Sequence, residues 1–281
     1  MRTKTKAVLL LFAPLAACVE PDYPTTLDMT TWSVVAVDKA TGDVGVAMAS
    51  CVQNTLADAL GALVPGKGAA ATQAGFDIGN RNRVYEALKA GITADSVIKI
   101  AIDTSADPRI TGRQYGVVTM HGDTVRTAGF TGQPMLDGSS TSSGTRWAGV
   151  RADAKFGVSV QGNTLVSEAV VANGLAAFKW EDPTGFNWMT DRMLRALEAG
   201  SVAGGDVRCN TATSRQTAAT AMIIAARGTD QPYAAAAIGM SDQGTPAAPW
   251  LAISYTVARG ADNPLLELRK RYDAWRQTAT R

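Results

Sequence analysis

The amino-acid sequence predicts an α+β fold, because strand-like and helix-like segments lie in separate blocks along its 281 residues. Short runs rich in β-branched residues come first and return in the last third, and helical patterns lie in pairs between them. Hydrophobic residues make up 46% of the chain and charged residues 19%, a globular composition that excludes extended disorder. No repeat or low-complexity tract divides residues 31–281, so we expect them to form one domain.

The strands are predicted from short apolar runs that turn residues separate. The runs at 32–38 and 44–50 flank a Lys-Ala-Thr-Gly-Asp turn, which predicts a hairpin. The runs at 115–120 and 124–130 flank a His-Gly-Asp turn and predict a second hairpin. The remaining predicted strands are 66–73, 156–160, 218–226, 233–238 and 250–257.

Five segments show the apolar spacing of three to four residues that is typical of a helix. They are residues 81–90, 94–104, 168–178, 188–199 and 265–277. Because strands and helices do not alternate regularly, we expect meandering sheets covered by layers of helices.

Residues 1–17 have the features of a bacterial export signal. Three basic side chains come first (Arg2, Lys4 and Lys6), and an apolar run follows up to Ala17. This run is shorter than the roughly 20 residues that a helix needs to cross a bilayer of about 30 Å. It therefore predicts a signal peptide and export from the cytoplasm.

The end of this signal, Leu15-Ala16-Ala17-Cys18, resembles the lipobox of bacterial lipoproteins. In such proteins the cysteine is lipidated and becomes the mature N-terminus, so Cys18 is the expected lipidation site. Several acyl chains would hold the protein at a membrane surface, periplasmic or on the cell exterior, with residues 18–30 as a tether. The alternative is an ordinary signal cleaved near Ala17, with an incidental cysteine.

The charge and the single histidine exclude several classes of function. The formal net charge is +2, but without the three basic residues of the signal 24 basic residues face 25 acidic ones. A near-neutral body gives no reason to expect a nucleic-acid partner. With only His121, a zinc site of several imidazoles is excluded, and a Ser-His-Asp relay would have to use this residue. We expect neither a metal nor a cofactor.

Two cysteines, Cys51 and Cys209, remain in the exported part of the chain. A pair of cysteines in an exported protein is a candidate disulfide. Two buried, unpaired thiols are the alternative, and the residues alone do not decide between them.

Four segments place amides, hydroxyls or charges where a plain core would have aliphatic side chains. Beside glycine at strand ends, such groups can form a surface that binds an oxyanion or clamps a substrate. Ordinary turn capping is the alternative interpretation. The segments are Thr31-Trp32-Ser33, Ala71-Thr72-Gln73-Ala74, Ser159-Val160-Gln161-Gly162-Asn163 and Gly204-Gly205-Asp206-Val207-Arg208.

The order and the residues of these segments resemble those of the bacterial family catalogued as domain of unknown function 1028. The resemblance runs through TWSVVAVDKATGDVGVAMAS, VPGKGAAATQAG, RQYGVVTMHGDTVRTAGFTG, FGVSVQGNTLVSEAVV and AGGDVRC, over residues 31–226. A subgroup of this family carries one cysteine after the second strand and another after G-G-D-x-R. Cys51 and Cys209 occupy these places, so the resemblance implies a disulfide between them.

The resemblance also implies a fold and a chemistry. The family is grouped with the N-terminal-nucleophile hydrolases, which share a four-layer αββα sandwich. In that superfamily a Thr, Ser or Cys at the start of the first strand attacks an amide, and its own α-amine serves as the base. Thr31 matches the strand-opening threonine and is the expected nucleophile.

The remaining site residues are carried over from the same motifs. Gln161 and Asn163 are expected to contact an oxyanion or the substrate, and Asp206 with Arg208 to orient charge. Ser33 is expected in the catalytic group, and Ser50 and Gln73 in the substrate-binding group.

Thirty residues precede Thr31, and this leaves two hypotheses about function. If the Thr30–Thr31 bond is cut, the protein is an exported amidohydrolase or peptidase that acts on a small amide or peptide. If Thr31 stays internal it has no free amine, and the protein is a lipid-anchored, non-catalytic binding protein of the cell envelope that keeps the fold and the pocket.

Overall fold

The computed structural model describes residues 27–29, 31–53, 61–133, 141–149, 155–214, 216–234 and 249–280. The predicted signal peptide, the lipidation site Cys18 and most of the predicted tether lie outside these residues. Among the described helices, none is both long enough and apolar enough to cross a membrane.

Twelve strands are formed by the described residues, and every strand pair is antiparallel. Their bounds are β1 (Leu27–Met29), β2 (Thr31–Asp38), β3 (Asp43–Ser50), β4 (Gly61–Val64), β5 (Gly68–Phe76), β6 (Arg113–His121), β7 (Thr124–Thr131), β8 (Thr141–Ala148), β9 (Phe156–Leu165), β10 (Thr220–Ala226), β11 (Tyr233–Ala234) and β12 (Leu251–Thr256). Both predicted hairpins are confirmed. β1, β4 and β8 had not been predicted, and the predicted strand at 233–238 leaves the described residues after Ala234.

Five α-helices of the described chain match the five predicted segments, with ends that differ by a few residues. They are α1 (Ile78–Lys89), α2 (Ala94–Ala101), α3 (Ala169–Lys179), α4 (Met189–Val202) and α5 (Pro264–Thr278), and a short 3-10 helix covers Ile110–Gly112. With separate blocks of strands and helices, the α+β class is confirmed.

The described strands form two six-stranded sheets. The first has the order β11-β4-β5-β6-β7, with β1 paired to the far end of β5, and the second has the order β12-β10-β3-β2-β9-β8. The two middle strands of the second sheet, β3 and β2, form the first predicted hairpin. Its turn ends at Gly42, whose φ of +76° suits a residue without a Cβ, and the register that follows pairs Thr31 with Ser50.

Because side chains alternate between the two faces of each strand, the hydrophobic core is divided into three layers: one between the sheets and one between each sheet and its helices. On β2, Val35 and Val37 face the first sheet and join the core between the two sheets. Trp32 and Val34 point the other way, into a core shared with α3, α4 and α5. Helices α1 and α2 cover the outer face of the first sheet in the same manner. Both sheets are thus covered on one side by helices and on the other by each other.

Trp32 fixes the start of β2, next to Thr31. Its side chain is fully buried, and its Nε1 donates to the carbonyl oxygen of Leu197 in α4 at 3.2 Å. A Cβ on Gly200, one turn further along α4, would lie 2.7 Å from this Nε1, so glycine permits the close approach of helix and ring. The backbone at Thr31 is therefore held against the helix layer.

Candidate functional site

At one end of the interface between the sheets, the apolar core gives way to amides and hydroxyls. Seven of these side chains come from four strands, each is at least 98% buried, and we call them the inter-sheet network. They are Thr31 and Ser33 on β2, Gln73 on β5, Gln114 on β6, and Ser159, Gln161 and Asn163 on β9. Six of the seven belong to three of the four polar segments of the sequence.

Thr31 lies at the edge of this network. Its side chain is fully buried, and its Oγ1 donates to the carbonyl oxygen of Ala49 on β3 at 2.5 Å. Its own carbonyl oxygen accepts from Gln73 Nε2 at 3.2 Å, across the gap between the sheets. In the uncut chain the expected nucleophile is therefore held by both neighbouring layers and shielded from solvent.

Ser33 connects the two sheets. Its Oγ donates to Gln73 Oε1 at 2.7 Å and accepts from Gln161 Nε2 at 2.5 Å. Gln161 Oε1 in turn accepts from Ser159 Oγ at 2.7 Å, which fixes the orientation of the Gln161 amide. The sequence prediction that Ser33, Gln73 and Gln161 belong to one site is consistent with these contacts.

Gln114 is the central residue of the network, and the sequence analysis did not single it out. Its Oε1 accepts from Gln73 Nε2 at 2.7 Å and from Asn163 Nδ2 at 2.9 Å. Its Nε2 donates to the carbonyl oxygen of Gly162 and to Thr131 Oγ1, both at 2.9 Å. A fully buried glutamine in the apolar run of β6 was the available signal, because such a side chain needs partners across the sheet.

The directions of these hydrogen bonds leave one acceptor without a donor. The Gly162 carbonyl can only accept, so Gln114 must turn its NH2 group towards it and its Oε1 towards Asn163. Asn163 must therefore present its NH2 group to Gln114. Its Oδ1 then has no hydrogen-bond partner, although the side chain is fully buried. A buried acceptor of this kind can take a hydrogen bond from a water molecule, a ligand or a reacting group.

The residues of the network all lie in the sequence range that a known protein family matches. A family model described as "Family of unknown function (DUF1028)" matches residues 31–248. The chain belongs to this family. No curated protein matches it.

A DUF1028 protein of known structure has the same overall fold. The crystal structure of a family member from Silicibacter pomeroyi is similar with a TM-score of 0.62 and 19% sequence identity. The match covers 89% of this chain and 93% of the other. At this identity the likeness concerns the fold alone.

In this DUF1028 chain Asp206 and Arg208, two further predicted site residues, lie beside the disulfide. Cys51 and Cys209 are bonded, with their Cα atoms 5.6 Å apart, so the disulfide prediction is confirmed. Asp206 is fully buried, accepts from the backbone N–H of Cys51 at 3.0 Å and binds Arg208 Nε at 2.9 Å. Asp206 therefore links the Cys209 segment to the backbone of Cys51, and Arg208 binds its carboxylate.

Ser50 lies between these two groups. It pairs with Thr31 in the β2–β3 register and precedes Cys51, and its Oγ accepts from the backbone N–H of Val52 at 3.1 Å. Of the predicted substrate-binding residues, Gln73 thus belongs to the inter-sheet network, Ser50 borders it, and Arg208 lies at the disulfide.

A charged cluster lies next to β6, on the face of the strand opposite to Gln114. There, Asp107 accepts from Arg113 Nε at 2.7 Å and from Asn80 Nδ2. Burial alone would raise the pKa of the Asp107 carboxyl, but these hydrogen bonds outweigh it and lower the pKa below its ordinary value. Burial also raises the pKa of the neighbouring Tyr115 to about 12.

His121 ends β6, at the opposite end of the strand from Gln114. Seven residues of extended strand separate them, roughly 23 Å at about 3.3 Å per residue. Within the described part of the chain, no group of three His, Cys, Asp or Glu side chains is placed to hold a metal ion. The side chains of the network itself are neutral amides and hydroxyls.

Proposed function

We propose that this protein is an exported, lipid-anchored precursor of an amidohydrolase that acts on small amides or peptides, with Thr31 as its nucleophile. The observation that carries the proposal is the inter-sheet network around Thr31, in which Asn163 Oδ1 is buried without a donor. Leaving such an atom unsatisfied would cost about 1–3 kcal/mol, which an N–H donor of a substrate would recover. The succession of helices, sheet, sheet and helices supports a relation to the N-terminal-nucleophile hydrolases.

The neighbours of Thr31 suit hydrolysis of an amide. The β2–β9 register pairs Trp32 with Gly162, so Thr31 and Asn163 occupy neighbouring positions on adjacent strands, with side chains on the same face. Asn163 Oδ1 can accept a hydrogen bond from the N–H of an amide substrate or from a free amine at Thr31. The amides of Gln73 and Gln161 carry the N–H groups that a developing oxyanion needs.

The reaction would follow the general scheme of a hydroxyl nucleophile with an amine base. Thr31 Oγ1 attacks the carbonyl carbon while its proton passes to the α-amine, whose reference pKa is near 8. That proton then goes to the leaving nitrogen, the C–N bond breaks, and an ester remains on Thr31. Water hydrolyses the ester and restores the hydroxyl, so no imidazole, metal or cofactor is required.

This chemistry requires the Thr30–Thr31 bond to be cut. Met29 pairs with Ala74 in the first sheet, whereas Thr31 starts β2 in the second, so the chain changes sheets at this bond. A cut here frees the α-amine at the edge of the network. It also separates the domain from the lipid on Cys18.

A lipid-anchored binding protein without catalysis is the second candidate, and one observation favours it. In the uncut chain the Thr31 hydroxyl is fully buried and its hydrogen is already donated to Ala49. A chain that stays uncut would use the network to hold an envelope-derived amide or a peptidoglycan fragment.

The deciding experiment is the intact mass and N-terminal sequence of the protein expressed with its own signal. A chain that begins at Thr31 supports the hydrolase, and a chain that begins at acylated Cys18 supports the binding protein. Thr31→Ala should keep the fold and stay uncut, whereas Thr31→Ser keeps a hydroxyl and should still be processed. Turnover of an amide panel by Thr31→Ala at the wild-type rate would exclude Thr31 as the nucleophile.

A further inference from the structure

A small cavity opens between the edges of the two sheets, beside the inter-sheet network. It lies between β7 of the first sheet and β8 of the second, and its volume is about 60 Å³. Ser159 and Gln161, both buried, form its floor, and Gln161 is bonded to Ser33. At roughly 30 Å³ per water molecule, the cavity has room for two water-sized groups, such as the two oxygens of a carboxylate.

Arg146 lies at the mouth of this cavity. It is exposed on β8, opposite Ser159 in the β8–β9 register, and its guanidinium reaches across to β7. A Cβ on Gly129 of β7 would lie 2.8 Å from Arg146 Nη1, so only glycine at this position leaves room for the guanidinium. Within the described residues, no carboxylate lies within salt-bridge distance of Arg146. Its charge is therefore available to a ligand.

Thr131 supplies a second donor on the β7 side of the cavity. Its Oγ1 accepts from Gln114 Nε2 at 2.9 Å, and no described hydrogen bond uses its own hydroxyl hydrogen. Gly144, opposite Gln161, keeps the β8 side open, since a Cβ there would lie 3.2 Å from the Cβ of Gln161. The cavity thus combines a guanidinium and a hydroxyl donor, the groups that bind carboxylates most strongly.

We propose that this cavity binds the carboxylate of an acidic ligand through Arg146 and is the entrance to the inter-sheet network. The cavity has room for the carboxylate alone, so the amide of the ligand lies next to it, at the edge of the network near Gln161. The proposal goes beyond the proposed function, because it holds for a hydrolase and for a binding protein alike. It narrows the ligand to amides that carry a carboxylate near the amide bond.

The larger cavities of the described structure are less suited to an anion. One of about 480 Å³ lies between α4 and α5, and its Arg269 is already paired with Glu198 at 2.7 Å and Asp273 at 3.2 Å. Another of about 440 Å³ lies on the surface of α1 and α2, where nothing connects it to the network.

The test compares two probes that differ only in the carboxylate, N-acetylglycine and N-acetylglycine amide. Binding to the full chain is measured by isothermal titration calorimetry, in the Thr31→Ala background so that no probe is consumed. We expect N-acetylglycine to bind at least about tenfold more tightly than its amide, and the difference to shrink at high salt. Equal affinities, or no binding of either probe at 10 mM (about the weakest affinity of interest), would overturn the proposal.

The matched variants are Arg146→Gln and Arg126→Gln. Arg126 is also exposed, on the neighbouring strand β7, but it does not line the cavity. Arg146→Gln should remove the preference for N-acetylglycine, and Arg126→Gln should leave it unchanged. Loss of the preference in both variants would indicate a general charge effect and contradict the proposal.

The outcome of this binding test does not depend on whether the proposed hydrolase function is correct. Selective binding of N-acetylglycine by a chain that is never cut before Thr31 would refute the hydrolase alone. Cleavage before Thr31 with binding that ignores both the carboxylate and Arg146 would refute the carboxylate site alone.

Discussion

Gln161 of the second sheet occupies the space in which a side chain at position 116 of the first sheet would lie. A Cβ built on Gly116 would be 2.0 Å from Gln161 Oε1, far inside van der Waals contact. The two sheets therefore approach each other closely at this part of the network, and glycine at position 116 leaves the space that Gln161 needs for its hydrogen bond to Ser33.

Gly116→Ala should destabilise the protein, because the new methyl group displaces the Gln161 amide from a packed interface. We expect a loss of about 1–3 kcal/mol in the free energy of unfolding, measured by urea denaturation. Gly112→Ala is the matched control, since its Cβ would meet nothing within 4 Å. Equal stability of the two variants would contradict the close approach.

Gln114→Ala should be costly, because four partners lose their hydrogen bonds at once. Gln73, Asn163, Gly162 and Thr131 would each lose one hydrogen bond inside or at the edge of the core. At about 1–3 kcal/mol for each buried orphan we expect a loss of at least about 3 kcal/mol. Gln277→Ala, an exposed position in α5, should change stability by less than about 0.5 kcal/mol. A Gln114→Ala loss as small as this control would show that the network is not formed.

The Cys51–Cys209 disulfide should contribute strongly to stability, since 158 residues separate its cysteines. A loop of this length corresponds to at most about 5 kcal/mol in the chain-entropy model, and typical losses are about 2–5 kcal/mol. Thermal unfolding with and without reductant should show this loss in the wild type. The double variant Cys51→Ser/Cys209→Ser should be insensitive to reductant; an unchanged wild-type midpoint would argue against a disulfide in solution.

Asp107 should make the stability depend on pH at the acid end. Its pKa is lowered in the folded state, so its contribution is fully present above the unfolded value near 4 and is lost as the pH falls towards the folded value. Asp107→Asn should flatten this acid-side dependence and cost about 3 kcal/mol at pH 7, because Arg113 loses its buried ionic partner. Asp262→Asn, at an exposed position, is the control for urea denaturation at pH 3 and pH 7. Parallel curves for Asp107→Asn and the wild type would refute the assignment.

Lipidation at Cys18 predicts where the protein is found in the cell. In the uncut Thr31→Ala background, Cys18→Ser should move the protein from the membrane fraction to the soluble fraction, because the proposed acyl anchor is lost. If the Thr30–Thr31 bond is cut, the wild-type domain should itself be soluble, whereas Thr31→Ala should remain with the membrane. Immunoblots of the two fractions distinguish these cases. A soluble, uncut wild type with Cys18 unmodified would exclude the lipoprotein.

The sequence by itself determined the features that depend on neighbouring residues. The β2–β3 and β6–β7 hairpins and all five helices follow from local turn chemistry and apolar spacing, which act before any distant contact forms. The motif resemblance supplied the family and the pairing of Cys51 with Cys209. β8, with the sequence TSSGTRWA, was not predicted, because an edge strand with polar faces lacks the alternation of apolar and polar residues that is typical of a half-buried strand.

Only the tertiary structure decided which polar groups form one site. Gln114 joins the network because the register of β5 with β6 and the packing of two sheets bring it against Gln73 and Asn163, which are 41 and 49 residues away in the chain. Asp206 lies in the Gly-Gly-Asp-Val-Arg motif, and its carboxylate accepts from the backbone N–H of Cys51 beside the disulfide. Side chains distant in sequence meet through strand register and sheet packing, and neither is encoded in any local pattern.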